Sequence, residues 1–559
     1  MKKIILCLLI ISFSLKIQSQ HDHAQKEGDA VINHVLACRS GVNFIDNLPV
    51  PALMDGVGTS TLEINTASDL TQKYFSQGIS QLHCFWDFEA YRSFKEAIRN
   101  DTTAIMPYWG LLHTIQFINN EEFDTDKQAA IEKLKSLIED APDHEALYGR
   151  GILDFVETKN PEGYLRNLEI IVHKYPEDID AQLFLALFNM SGYDENMDPR
   201  KGTIYSEYLL RDLLISHPEN HGVHHYWIHQ MENCCPEEAI ESADKLAALA
   251  PESGHIVHMP GHVYYKLGDY KKAHDQFITA MKVDSTYMAD QNINEVDNWN
   301  YIHNLNYLLA NCAQDGRYKE GLHYAHRLES MMGVADRIDM HRGAYFYQGI
   351  ITPAIMEMRF GLWDRAVQKF EAIQDQDSIY GRAAMDYKNA FSLFSSGMDA
   401  LEKNDIKKAQ SNLDRLDALF WRNSQLENKK ERISDFKRKT LLVTSVELEG
   451  NILVAEKSYA MGIKVLEKAV QMERDLGYSE PPYYPRPVLI SLASAYLKTG
   501  DHEKAASSYH KILEKHPNSS LAYWGLMKVY KASKQQDLYK KAKLQFEDVT
   551  RYGDRDVFN

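Results

Sequence analysis

Small and aromatic residues recur along this chain at fixed helical offsets. In LASAYLKTGDHEKAASSYHKILEKHP, residues Ala493, Tyr496, Gly500, Ala505, Tyr509, Ile512 and Pro517 stand out from polar neighbours. In GHVYYKLGDYKKAHDQFITAMKVD, Tyr264, Gly268, Ala273, Phe277 and Ala280 hold corresponding places. Apolar residues three and four apart make one helical stripe, and a glycine between two stripes ends one helix and lets the next run back beside it. The pattern continues in QDGRYKEGLHYAHRL, in FGLWDRAVQKFEAI with Gly361, Trp363, Ala366 and Phe370, and in FWDFEAYRSFKEAIRND with Ala90, Phe94 and Ala97. PYWGLL at 107–112 parallels AYWGLM at 522–527. Small residues let paired helices approach closely and aromatics fill the space between successive pairs. The prediction is an all-α stack of helical hairpins, with alternation of the β kind only in VNFIDNLPVPALMDGVGTSTLEI, where Pro and Gly punctuate short apolar pieces.

These segments resemble the tetratricopeptide repeat (TPR) superfamily. HYWIHQMEN followed by GHIVHMPGHVYYKLG, together with YIHNLNYLL and FWDFEAYRSFKEA, resembles a subgroup of large exported bacterial repeat proteins with a histidine-rich central pair of repeats. The resemblance implies a right-handed α-solenoid whose concave groove binds a ligand, mainly a peptide or protein, and it brings no established reaction. The chain lacks an obvious run of groove Lys and Asn residues for clamping a C-terminal carboxylate. Its units are often spaced more widely than the ideal 34 residues, which predicts lengthened turns around MADQNINEVDNWN and LGYSEPPYYPRP. The expected organisation is a signal peptide over 1–20, an extended leader over 21–66 packed on the first helices, a repeat array over 67–330 carrying the histidines, and a second array over 331–559.

The repeat register places the histidines. In such repeats the groove stripe recurs along the first helix of each hairpin, and with Gly268 closing its helix that stripe takes His255, His258 and His262. The next unit, closed by Gly316, gives it His303 and Asn306, and an early unit gives it His113. The preceding hairpin admits two registers. A strict 34-residue spacing gives the groove to His221 and His224, whereas a turn one residue longer at NCCPEEA gives it to His225, His229 and Glu232 and turns Trp227, Ile228 and Met231 to the core. The second is preferred because it buries apolar residues and exposes ionisable ones. On that reading His221, His225, His229 and Glu232 form one helical stripe. Two histidines at i and i+4 can chelate one ion, and two such pairs on neighbouring helices strengthen the case. The spacing differs from the zincin motif, whose Glu lies between the two His. Pro260 should bend its helix and re-aim His262.

Composition then narrows the field. The 559 residues carry a formal charge of −17, which argues against a nucleic-acid partner, since that needs a basic face to displace phosphate counterions. The start, MKKIILCLLIISFSLKIQSQ, has a basic end, a short apolar stretch and small polar residues, the layout of a cleaved export signal. No later segment reaches about 18 consecutive apolar residues, so no membrane span is expected and the mature protein should be periplasmic or secreted. Outside Cys7, the cysteines Cys38, Cys84, Cys234, Cys235 and Cys312 are odd in number and scattered, unlike a disulfide framework. Cys234 and Cys235 fit a helix-helix turn before Pro236. His21 and His23 fit a flexible tail, and ENKKERISDFKRK at 427–439 fits a solvated helix face.

Two classes of function remain. The first is an exported binding module whose groove holds a peptide, a glycan or an envelope protein. The second is a divalent-metal site, zinc as first choice, in which His225, His229, His258 and His262 supply most ligand nitrogens and His221, His255, His303 and Glu232 complete or orient the shell, with Glu232 as a candidate general base. No phosphate-binding glycine loop or serine nucleophile elbow is present to support other chemistries.

Overall fold

The computed structural model describes residues 48–115, 121–194, 198–331, 348–374, 379–426, 435–477 and 484–558. The signal segment, Cys38, His21 and His23 lie outside them, as does most of the 427–439 charge run. The described residues form two compact units, one running to Cys235 and including Ala248–Ser253, the other made of Pro236–Ala247 and the chain from Gly254 onward. No strand occurs among the described residues, where the single β-type pairing is an isolated bridge between Tyr193 and Pro199. None of their helices is long and apolar enough to cross a membrane.

Unit 1 pairs α1 (Asp69–His83) with α2 (Asp87–Asn100), α3 (Met106–Ile115) with α4 (Glu121–Leu137), α5 (Asp143–Thr158) with α6 (Pro161–Lys174), and α7 (Ile179–Asn189) with α8 (Thr203–Ser216). Its last helix, α9 (His221–Met231), packs on α8 and also on α1 and α7. The helix starts are written in the sequence: Ser68, Asn160, Asp178 and Asn220 each accept a backbone N–H from the turn they begin. Residues 48–66 lie outside helices and strands, and Tyr74 and Gln77 of α1 tie them down by hydrogen bonds to Pro51 O, Met54 N and Ala52 O. Phe94 of α2 is fully buried between two glycines. A Cβ at Gly78 or at Gly110 would lie 2.6 or 2.5 Å from its ring, so the small-residue rule acts here at van der Waals contact.

After α10 (Ile240–Leu249), which contributes residues to both units, unit 2 continues the hairpins. They are α11 (Gly254–Leu267), α12 (Tyr270–Gln291), α13 (Trp299–Asp315), α14 (Tyr318–Glu329), α15 (Thr352–Phe360), α16 (Trp363–Ala372), α17 (Ile379–Glu402) and α18 (Ile406–Ser424). Then come α19 (Asp435–Ala455), α20 (Tyr459–Arg474), α21 (Leu489–Lys498), α22 (His502–Lys515), α23 (Ser520–Ala532) and α24 (Gln536–Val549). The motif glycine and aromatic again meet: a Cβ at Gly261 would lie 2.3 Å from Phe277, and one at Gly525 2.1 Å from Tyr509. Within unit 2, α14 packs on α15. Part of the long turn expected at MADQNINEVDNWN is helix, because α12 runs on to Gln291 before Asn292 caps it at φ 55°. Cys234 and Cys235 stand in the turn before Pro236.

Unit 2 also brings its two ends together. Tyr270 donates from its hydroxyl to Pro517 O at 2.6 Å, Asn518 donates to Gly268 O, and Asp554 N donates to Gly316 O at 2.7 Å. Gly268 ends α11 at φ +75°, and a Cβ on it would lie 2.4 Å from Pro517 O. Gly268→Ala therefore combines left-handed strain with a clash against backbone, and should destabilise unit 2 by about 2 kcal/mol or more. The urea midpoint of the variant measures this, and a midpoint equal to wild type would show that the closure is not tight.

Candidate metal centre

In unit 1 His221, His224 and His225 of α9 lie buried and His229 is partly buried, against the expectation of an exposed stripe. The reason is that α9 packs on three helices, so it has no solvent face to offer. Trp227, Ile228 and Met231 are buried as the preferred register required. His225 Nδ1 donates to His83 O at 2.6 Å, and His229 Nδ1 sits 3.0 Å from Glu232 Oε1. With each Nδ1 engaged by an oxygen, Nε2 becomes the basic nitrogen of both rings, the arrangement that primes imidazole for a metal. Glu232 is thus held on His229. His221 sits differently: its Nε2 meets Ser80 O at 3.1 Å, and its ring lies where a Cβ on Gly58 would be, 2.3 Å away. His224 is tied to Pro218 O and His113 to the Tyr164 hydroxyl. Those three are packing residues.

Sequence reasoning passed over His83. Its Nδ1 meets the Tyr226 hydroxyl and its Nε2 meets Asp180 Oδ1, both at 2.9 Å, while Ser60 donates to the other carboxylate oxygen. A single histidine in LHCFW gives no periodic signal, and its partners lie 97 and 143 residues away in sequence.

Unit 2 holds the tighter set. The ring nitrogens of His258 and His262 on α11 and His303 on α13 all lie within 4.8 Å of one another, and the three residues are 0%, 1% and 6% exposed. α11 continues through Pro260, which leaves His258 and His262 one turn apart on the same face. Their Nε2 atoms face each other at 2.7 Å. Each ring is braced separately. His262 stacks on Tyr307 at 4.2 Å between centroids, and His303 lies nearly parallel to Trp299 at 4.6 Å. His258 Nδ1 meets Asn304 Oδ1 at 2.7 Å, and the Asn304 amide nitrogen donates to Phe277 O at 2.7 Å. That second bond fixes which end of the Asn304 amide faces the ring, so His258 carries its hydrogen on Nδ1 and turns a lone pair toward His262.

His255 repeats the device one turn earlier on α11. Its Nδ1 meets Asn300 Oδ1 at 3.1 Å, and Asn300 in turn donates to Asp284 at 2.7 Å. Its ring centre is 6.0 Å from that of His258 and 6.5 Å from that of His303, one ring beyond the triad. Asn306, expected beside His303, donates instead to Ile302 O on its own helix. Asn300 and Asn304 take that place, four residues apart on the face that meets α11.

Burial and the neighbouring imidazoles push His258 well below the ordinary histidine range, so it is neutral at physiological pH and its nitrogen is open to an ion rather than a proton. Burial likewise takes His221 down to about 4, with His83 adding to the effect. Such a depressed histidine contributes stability above pH 6.5 and loses it as pH falls through its folded value. Wild type should therefore lose about 3 kcal/mol relative to His221→Phe between pH 6.5 and 4, because only the former must take up a proton on unfolding. Denaturant titrations of both proteins at the two pH values test this, and a difference that does not change with pH would contradict it.

Residues 488–519 match the family model described as Tetratricopeptide repeat. No curated protein matches the chain in sequence. Among solved structures it is similar to the APC/C hetero-tetramer Cut9–Hcn1, at 12% identity over 87% of this chain and 89% of that one, with a TM-score of 0.29. It is also similar to the human IFIT1 dimer with m7Gppp-AAAA, at 13% identity over 88% of this chain and 91% of that one, with a TM-score of 0.32.

Proposed function

We propose that this tetratricopeptide-repeat protein is an exported metal-binding scaffold, in which His258, His262 and His303 hold one divalent transition metal. The observation that carries the reading is the convergence of three buried ring nitrogens, each on a separately braced ring. Two imidazoles of one tetrahedral zinc, with Zn–N of about 2.0–2.1 Å, stand roughly 3.3 Å apart. The 2.7 Å between the facing nitrogens of His258 and His262 needs only a small parting of the rings to reach that separation. Three protein ligands leave a fourth position for water or a ligand atom, the pattern of reactive rather than purely structural zinc sites. Imidazole donors suit zinc, and they accept copper, iron or nickel as well.

The hairpin stack supports a second role, since repeats of this kind generally offer their helices to protein or peptide partners. A buried ion braced on α11 and α13 would then stiffen the repeats that such a partner reads. Metal analysis of protein purified from an exported fraction without an affinity tag tests the first reading. About one equivalent of bound transition metal is expected, lost in the His258→Ala/His303→Ala double variant. Metal-free protein that also fails to take up added zinc would reject it.

A further inference from the structure

In unit 1 the tight turn between α1 and α2 carries a strained residue. The Phe85 N–H donates to Leu82 O and the Trp86 N–H to Gln81 O, and this pair of bonds holds Phe85 in the left-handed region at φ 54°. The same pair closes hairpins at Gly268, Gly361 and Gly500, and at Asn404, Lys457 and Lys534. Among the described residues at positive φ, Phe85 is the one aromatic. A bulky side chain takes that conformation only against steric resistance, so its ring has a use that outweighs the strain. It lies on two histidines of α9. The ring centres of Phe85 and His225 are 4.5 Å apart, and Phe85 stacks on His229 at 5.3 Å with 25° between the planes.

Those two histidines are set up as a pair. They stand one turn apart on α9 with ring centres 4.9 Å from each other and ligand nitrogens within 4.8 Å. His225 Nδ1 faces the His83 carbonyl at 2.6 Å, and His229 Nδ1 faces Glu232 Oε1 at 3.0 Å. Both partners only accept, so each ring carries its hydrogen on Nδ1 and a lone pair on Nε2. The side chains of His229 and Glu232 are only 5% and 2% exposed. A carboxylate held on the far nitrogen of an imidazole orients the ring and makes its other nitrogen more basic, as around bound metals.

We propose that His225 and His229 hold a second divalent transition metal through their Nε2 atoms, separate from the ion of His258, His262 and His303. Glu232 and the His83 carbonyl set the tautomers, and Phe85 fixes the rings. Two imidazoles hold an ion less tightly than three. This ion therefore leaves during purification and returns from solution. The site shares no residue with the triad and stands whether or not the triad is loaded.

The test is titration of the chelator-stripped full chain with zinc, read by competition with a chromophoric chelator and by melting temperature. Wild type should take up a second equivalent at least about tenfold more weakly than the first. His258→Ala/His303→Ala should keep that weaker equivalent and melt higher in its presence. His229→Phe/Glu232→Gln keeps an aromatic ring on Phe85 and leaves no buried carboxylate without its imidazole, so helical content should hold while the weaker equivalent disappears. Glu232→Gln alone keeps both ligands and loses the charge, and should weaken the same equivalent about tenfold to a hundredfold. Were the triad to bind nothing, wild type would still take up the equivalent that His229→Phe/Glu232→Gln removes, which tells the two sites apart. Zinc uptake in His229→Phe/Glu232→Gln equal to wild type in amount and affinity overturns the proposal.

Discussion

His262→Ala should weaken zinc binding by more than about a hundredfold, because loss of even an outer-shell partner costs 10–100-fold and His262 is a ligand in the proposed site. The loss should be specific. His262 stacks on Tyr307 and faces His258 at 2.7 Å, so its removal takes away one of three donors and leaves α11 and α13 packed through their apolar residues. Helical content should stay within error of wild type. Asn304→Leu makes a finer version of the same test: it leaves every ligand in place and frees His258 to carry its hydrogen on either nitrogen, so affinity should drop about tenfold to a hundredfold. Competition titrations against a calibrated chelator read both values. If His262→Ala binds zinc as wild type does, the triad is packing.

Phe94→Ala should be the most destabilising single substitution in unit 1, at about 3–5 kcal/mol. The ring is fully buried and is clasped by Gly78 on its own hairpin and Gly110 on the next. Neither glycine can move in to fill the space without shifting its whole helix, so the cavity persists and the full cost is felt. The urea transition of unit 1 measures it, and a loss below about 1 kcal/mol would show that α1, α2 and α3 collapse around the gap.

That geometry explains why the architecture was legible. Ala90, Phe94 and Ala97 recur as Ala273, Phe277 and Ala280 and as Ala505, Tyr509 and Ile512, and all nine are buried. Helix period alone puts these residues on one face, and their sizes say that another helix comes close. The candidate site was legible in part. The i, i+4 pairs and His303 were read from the sequence, with His303 in a supporting part and His225 and His229 as leading ligands. What places His303 against His258 and His262 is the crossing of α11 and α13, which no single helix records. Asn306 was singled out where Asn304 and Asn300 act, because its bond to Ile302 O turns it back on its own helix. The stripe was expected to face an open groove. It is buried, since Trp299, Tyr307 and Phe277 close around the rings.

The export signal and the leader before residue 48 rest on the sequence alone, and so does the identity of any partner. The proposed metal centre has the most direct test. X-ray absorption at the zinc edge, on full-length protein reconstituted with one equivalent of zinc, reads the ligand shell without a crystal. The account predicts three imidazole nitrogens at about 2.0–2.1 Å with the outer-ring scattering of histidine and one further light atom, and a loss of imidazole scattering in His303→Ala. A shell of oxygen alone, or a spectrum unchanged by that substitution, would contradict it.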